Sequence, residues 1–191
     1  RAAAAGSARF GRATLGIDAW GVDHGLLDER GDLLFPPVAY RDASHADAFA
    51  RLQEHRSDLY ALTGIQAQPF NTLYQLAARR EFADRTHRWL PLPDLLAFLR
   101  TGEANVEATQ ASTTNLQGLD GDWSPRAFEI AGWPVPELRP RAPGELGGYV
   151  ADGVRIATVG SHDTASAVAG LGTLTDSDLF LNVGTWSLVG T

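Results

Sequence analysis

Residues 155–171 read RIATVGSHDTASAVAGL. The opening residues, 155–159, are rich in β-branched side chains and predict a buried strand. The strand ends in Ser161-His162-Asp163-Thr164, and the small-residue run after it predicts a helix. A strand end that feeds a helix start is where open α/β sheets hold ligands and reactive groups. A carboxyl group at that point is mounted on rigid backbone and suits a base for a substrate hydroxyl. On the residues alone, the plainer role for Asp163 is a helix N-cap.

A second stretch follows, DLFLNVGTWSLVGT over residues 178–191. It predicts a strand, a Gly184-Thr185 turn and another apolar strand. Such a turn is a plain hairpin or a place where free backbone N–H groups meet a phosphate.

Upstream, residues 14–18 (TLGID) predict a strand leading into Ala19-Trp20-Gly21-Val22-Asp23. Gly21 has no side chain, so a ligand can approach its backbone closely. A tight turn with a core Trp20 is the bland alternative. Residues 24–28 continue as a strand and residues 29–32 form an Asp/Gly turn. Pro36-Pro37 breaks the extended run over residues 33–40.

Helices are predicted over residues 44–54, 57–63, 71–85, 91–100 and 124–132. The strongest is 71–85, with Asn71 as N-cap and a stripe of Leu73, Leu76, Ala77 and Phe82. Ser124 with Pro125 opens the last of them. Residues 110–116, polar and Thr/Ser-rich, read as a functional loop or helix edge, and residues 134–148 as a Pro/Gly-rich connector. Short strands alternating with helices favour an α/β fold over a bundle or sandwich.

The chain has 191 residues, 44% hydrophobic and 20% charged, which fits an ordinary globular protein. Its net charge of −7 argues against nucleic acid or an anionic membrane as partner. No apolar run approaches the roughly 20 residues of a membrane span. The Ala-rich start lacks the apolar core of a targeting peptide and predicts the end of a helix over residues 2–13. Cysteine is absent, which excludes disulfides and Cys-ligated zinc. The start at Arg1, the lack of Met and the end after a strand predict an internal fragment of a longer protein.

The segments GIDAWGVDHGLLDERG, PVAYRD, GIQAQPFNTLYQL, SHDTASAV and GTWSLVG occur in that order along the chain. Together they resemble the FGGY carbohydrate kinases, most closely the members that act on L-rhamnulose. The resemblance covers nearly the whole chain. It implies an actin-like, ribonuclease H-like α/β fold of two lobes, with ATP and sugar in the cleft between them. Residues 1–171 would be the latter part of the first, sugar-binding lobe. Residues 172–191 would open the second, nucleotide-binding lobe.

The resemblance implies transfer of phosphate from ATP to L-rhamnulose, giving L-rhamnulose 1-phosphate, with Mg²⁺ held mainly by the ATP phosphates and water. It makes Asp163 the general base. Gly21, His162, Asp163 and Thr164 would bind the sugar, and Thr185 the ATP phosphates. Trp20 would offer an apolar face to the sugar. His162 next to Asp163 would otherwise suggest a metal ligand, but no HxxxH or HxH partner exists among the five His residues.

Asp18, Asp23, Asn71, Gln75, Thr113, Thr114 and Asn115 are read first as structural, as is an ion pair within Arg41-Asp42. ATP use and the lack of a signal segment imply a cytoplasmic enzyme. Two alternatives stand beside this reading. One is a kinase for another ketose or polyol, such as fuculose or xylulose. The other is a non-catalytic sugar-binding remnant. The fragment alone is expected to be inactive and of low stability.

Overall fold

Two segments far apart in sequence pair in parallel in a computed structural model, which describes residues 13–151, 153–184 and 187–191. They are β1 (Ala13–Gly16) and β5 (Val154–Ala157), registered from Ala13 opposite Val154 to Gly16 opposite Ala157. β4 (Leu146–Ala151) lies antiparallel on the other side of β5, so the sheet order is β1-β5-β4. Burial alternates along β5, with Val154 and Ile156 inward, as a half-covered strand requires. Beyond the sheet the parallel relation continues as a single bridge between Ala19 and His162.

The region between β1 and β4 holds the core. β2 (His24–Leu27) pairs antiparallel with β3 (Arg88–Pro91), and every residue of β2 is buried. The sequence reading did not foresee β3, because Pro91, its last residue, reads as the start of the next helix. Around this pair lie α1 (Ala46–Arg51), α2 (Arg56–Thr63), α3 (Thr72–Ala77), α4 (Leu92–Thr101), α5 (Ala108–Ala111) and α6 (Pro125–Ala131). Trp89, Trp123 and Phe128 stack at their centre, with ring centroids 5.4–6.4 Å apart. Each such ring, fully buried, contributes on the order of 1.5–3 kcal/mol.

Local signals explain most boundaries. Ser124 accepts a hydrogen bond from Ala127 N–H and caps α6, with Pro125 at its first position. Gly64, Gly102 and Gly132 end α2, α4 and α6 in the left-handed conformation. Asp28 accepts from the N–H groups of Arg30 and Asp32, which closes the 29–32 turn.

The helix expected over residues 71–85 is a correction. α3 stops at Ala77, and a separate 3₁₀ helix runs over Arg80–Arg85. All six residues of α3 are buried, so a one-sided stripe does not describe it. Arg79 sits at the break and turns inward. Its guanidinium donates to the carbonyl of Gln75 and the hydroxyl of Ser44. Asn71 stands at the cap position, but its side-chain oxygen accepts from Gln68 N–H in the preceding loop instead. Arg41 and Asp42 form no ion pair. Asp42 accepts from Ser44 N–H, and Arg41 donates to the Tyr40 hydroxyl.

At the C-terminal side, α7 (Asp163–Ala169) is followed by the antiparallel hairpin of β6 (Phe180–Val183) and β7 (Ser187–Gly190). The hairpin pairs only with itself among the described residues and leaves Leu181, Val183 and Val189 exposed. The helix expected over residues 2–13, apart from Ala13, lies outside the described residues, as do Thr185 and Trp186. Ala13 itself begins β1.

Candidate active site

A cleft of about 510 Å³ opens where the parallel pair ends. Its walls come mainly from four segments, with Tyr40 and Thr113 added to them. The turn after β1 supplies Trp20, Gly21 and Val22. The loop before α3 supplies Ile65, Gln68 and Phe70. The start of α7 supplies His162, Asp163 and Thr164, and the β6–β7 hairpin supplies Asn182, Gly184 and Leu188. The wall is largely apolar, with polar groups both at the start of α7 and across from it at Gln68, Asn71, Thr113 and Asn182. That is the usual make-up of a small-molecule site.

Asp163 is the first residue of α7 rather than its cap, which is His162. Its side chain is 55% exposed and faces the cleft. One carboxyl oxygen accepts from the N–H and the hydroxyl of Thr164. His162 Nε2 lies 3.4 Å from the same oxygen. Burial pushes the His162 imidazole below its ordinary pKa, and the neighbouring Asp163 and Glu107 carboxyl groups oppose that only in part. The neutral ring can therefore both donate and accept a hydrogen bond to a hydroxyl.

Gly21 is packed so tightly that a Cβ built on it would lie 2.7 Å from Thr113 Oγ1. The Thr113 hydroxyl oxygen also accepts from Val22 N–H at 3.2 Å. Val22 itself has φ of 72°, a rare conformation for a β-branched residue. Three side chains surround its carbonyl: Thr72 Oγ1 donates at 2.7 Å, Gln75 Nε2 at 3.2 Å, and His24 Nδ1 lies at 3.5 Å. The surrounding structure thus over-determines a strained turn at the cleft wall. Trp20 is half exposed, and its indole N–H donates to Asp23 at 2.7 Å. Burial raises the pKa of Asp23, which is buried behind the turn and is not among the residues that line the cleft.

The structure brings Gly21, His162, Asp163 and Thr164 to one cleft. Thr185, the expected phosphate contact, lies outside the described residues, and its neighbour Gly184 lines the cleft. Thr113 also lines it, whereas Thr114 and Asn115 are buried in the loop behind. Asn71 borders the cleft. Gln75 is buried below it, and its amide donates to the carbonyls of Val22 and Phe70.

Two residues at the site were missed in the sequence. Glu107 is completely buried and accepts from Ser161 N–H, the Ser161 hydroxyl and Thr109 N–H, each at 2.9 Å, and from the Thr109 hydroxyl. Gln110 donates to the carbonyls of Ala19 and Ser161 at 3.1 and 2.9 Å. The only sequence signal was an acidic residue opening a Thr/Ser-rich run, which fits an ordinary cap as well.

A model of the N-terminal domain of the FGGY family of carbohydrate kinases matches residues 12–152. The chain belongs to that family.

Within the FGGY family, a rhamnulokinase of Yersinia pestis (strain Pestoides F) is 42% identical over 190 residues, covering 93% of this chain and 39% of that protein. A rhamnulokinase of Bacillus subtilis (strain 168) is 38% identical over 191 residues, with the same coverage. The chain thus spans 39% of the length of these curated relatives. Among solved structures, a ligand-bound xylulose kinase from Lactobacillus acidophilus superposes with a TM-score of 0.79 at 17% identity, covering 92% of this chain and 39% of that one. A gluconate kinase from the same organism gives 0.77, also at 17% identity. This FGGY chain therefore has a partial actin-like α/β fold, as the sequence motifs implied. Among the described residues, no helix is long and apolar enough to cross a membrane.

Proposed function

We propose that this chain is the sugar-binding part of an ATP-dependent kinase that converts L-rhamnulose to L-rhamnulose 1-phosphate in rhamnose catabolism. The observation that carries the reading is the exposed Asp163 carboxyl group on the same cleft as Gly21 and Gly184. The 42% identity to a rhamnulokinase favours L-rhamnulose among the sugars.

In this reading the ketose lies against Gly21, with its apolar atoms on Trp20 and its hydroxyls near His162 and Thr164. The sugar's primary hydroxyl points at Asp163. As its oxygen bonds to the γ-phosphorus, the bond from that phosphorus to the bridging oxygen of ADP breaks. The hydroxyl proton passes to Asp163. A carboxylate is far less basic than an alkoxide, so the proton moves late and positioning does much of the work. A base of this kind contributes about 10²–10⁴-fold. In the same reading Thr185, next to the cleft-lining Gly184, would bind the ATP phosphates.

Residues 1–171 would belong to the sugar-binding lobe and residues 172–191 to the start of the nucleotide-binding lobe. A cytoplasmic location belongs to the same proposal, since ATP is available there. Mg²⁺ belongs to the same proposal as an ion held mainly by the ATP phosphates and water, and no three His, Asp or Glu side chains gather as ligands among the described residues. No step here is routed through it. The 191-residue stretch alone is expected to lack kinase activity, because it spans well under half of its relatives' length.

The test is Asp163→Asn in the full-length protein, assayed with L-rhamnulose and ATP. A fall in kcat of a hundredfold or more is expected, and turnover near that of the unaltered enzyme removes Asp163 from the base role. A panel of ketoses and polyols in the same assay tests the sugar. A tenfold or greater preference for another member overturns the choice of L-rhamnulose.

A further inference from the structure

Asp163 is exposed, and few of its own contacts fix where it stands. Among the described residues its carboxyl group touches only Thr164 and the His162 ring. Its location is set by the backbone of the turn from Ser161 to Asp163, so whatever holds that turn holds the carboxyl group. Gln110 meets that turn from behind at the Ser161 carbonyl, and Glu107 meets it at the Ser161 N–H and hydroxyl. The Glu107 carboxyl oxygens accept four hydrogen bonds, two from Ser161 and two from Thr109. The Thr109 hydroxyl, while donating to Glu107, accepts from His162 N–H at 3.1 Å. Two successive backbone N–H groups just before Asp163 are thus fixed, one by Glu107 directly and one through Thr109. A buried carboxyl group that forms so many bonds is costly to keep unless they are all made.

We propose that Glu107, acting through Ser161 and Thr109, is a positioning residue for the phosphoryl transfer. It fixes the turn that aims Asp163 at the sugar hydroxyl. The inference rests on the reading of Asp163 as the base. Acceptor-only chemistry is what the site requires. A glutamine here sets an amide N–H against an existing donor in either orientation, against Thr109 N–H in one and against the Ser161 pair in the other. The hydroxyl of Thr109 is the second requirement, since it alone passes the constraint on to His162 N–H.

The experiment compares Glu107→Gln, Thr109→Val, Thr109→Ser, Asp163→Asn and the double variant Glu107→Gln/Asp163→Asn in the full-length protein. kcat for L-rhamnulose is read beside thermal stability. Glu107→Gln and Thr109→Val are expected to lower kcat tenfold or more. Thr109→Ser, which keeps the hydroxyl, is expected to stay within threefold. Added to Asp163→Asn, Glu107→Gln is expected to cost less than threefold, because the group it aims is already gone. A merely structural role would lower stability without this hydroxyl dependence or non-additivity. If Glu107→Gln does not fold, the Thr109 pair decides. The inference falls alone if Asp163→Asn is crippled while Glu107→Gln and Thr109→Val remain within threefold. It also falls alone if Thr109→Ser fails like Thr109→Val, or if the double variant shows the full product of both losses. If Asp163→Asn stays active, the base reading falls and the inference falls with it.

Discussion

The amide N–H of Asp163 donates to the carbonyl of Ala19 at 2.9 Å, and Ala19 N–H donates to the carbonyl of Ser161 at 3.0 Å. Ala19 directly precedes the Trp20-Gly21 turn. The carboxyl group at the start of α7 and the bare backbone at Gly21 are therefore parts of one hydrogen-bonded unit, although most of the 191-residue chain separates them in sequence.

Gly21→Ala would set a methyl group 2.7 Å from Thr113 Oγ1 and 2.9 Å from its Cγ2. Relieving that overlap by moving the turn costs about 1–3 kcal/mol. In the full-length protein the sugar KM should rise about tenfold or more. Pairing it with Thr113→Ala should recover part of the loss. Steady-state kinetics on both variants checks this, and an unchanged KM for Gly21→Ala would mean the turn has more room than its packing indicates.

Gln110→Leu keeps the volume and removes the amide that bridges Ala19 and Ser161. Each carbonyl retains its backbone partner, so the loss should be modest, about 1–3 kcal/mol. Amide hydrogen exchange should speed up at Asp163 more than in α6, which is remote from the bridge. Uniform exchange rates across both would show that Gln110 does not tie the two turns together.

Asp94 gives a pH signature. Burial raises its carboxyl pKa from the ordinary 3.8 to about 7, despite hydrogen bonds from Glu107 N–H and Asn105. Between these values the folded state binds the proton that the unfolded state has released. Stability from this group therefore falls as pH rises from about 4 to about 7. Asp94→Asn removes the effect, so the Tm of the variant relative to the unaltered protein should be more favourable at pH 8 than at pH 5. Thermal scans at the two values decide it, and a gap that does not move with pH would contradict the assignment.

Phe128 is fully buried and meets Trp123 edge-on at 5.6 Å between ring centroids. Phe128→Ala should cost about 3–5 kcal/mol through lost burial and a residual cavity. Differential scanning calorimetry should show a lower Tm, while Phe128→Leu should recover part of it. A loss below about 1 kcal/mol would mean that the aromatic cluster collapses freely around the gap.

The sequence alone determined the local events and the family. The strand into Ser161-His162-Asp163-Thr164, the Asp28 turn, the Ser124-Pro125 helix start and the glycine stops are written in neighbouring residues, because each depends on backbone preferences within one turn. The ordered motifs from 16–31 to 184–190 were likewise legible: the family match covers those within residues 12–152, and the rhamnulokinase similarity extends over 93% of the chain. What the sequence concealed depended on partners distant along the chain. α3 breaks at Arg79 because that side chain reaches Ser44, and Asn71 forgoes its helix to close a loop. Only the tertiary structure set Glu107 and Gln110 beneath the Asp163 turn. A buried polar residue reveals its role through the donors and acceptors folded around it, and those come from segments dozens of residues away.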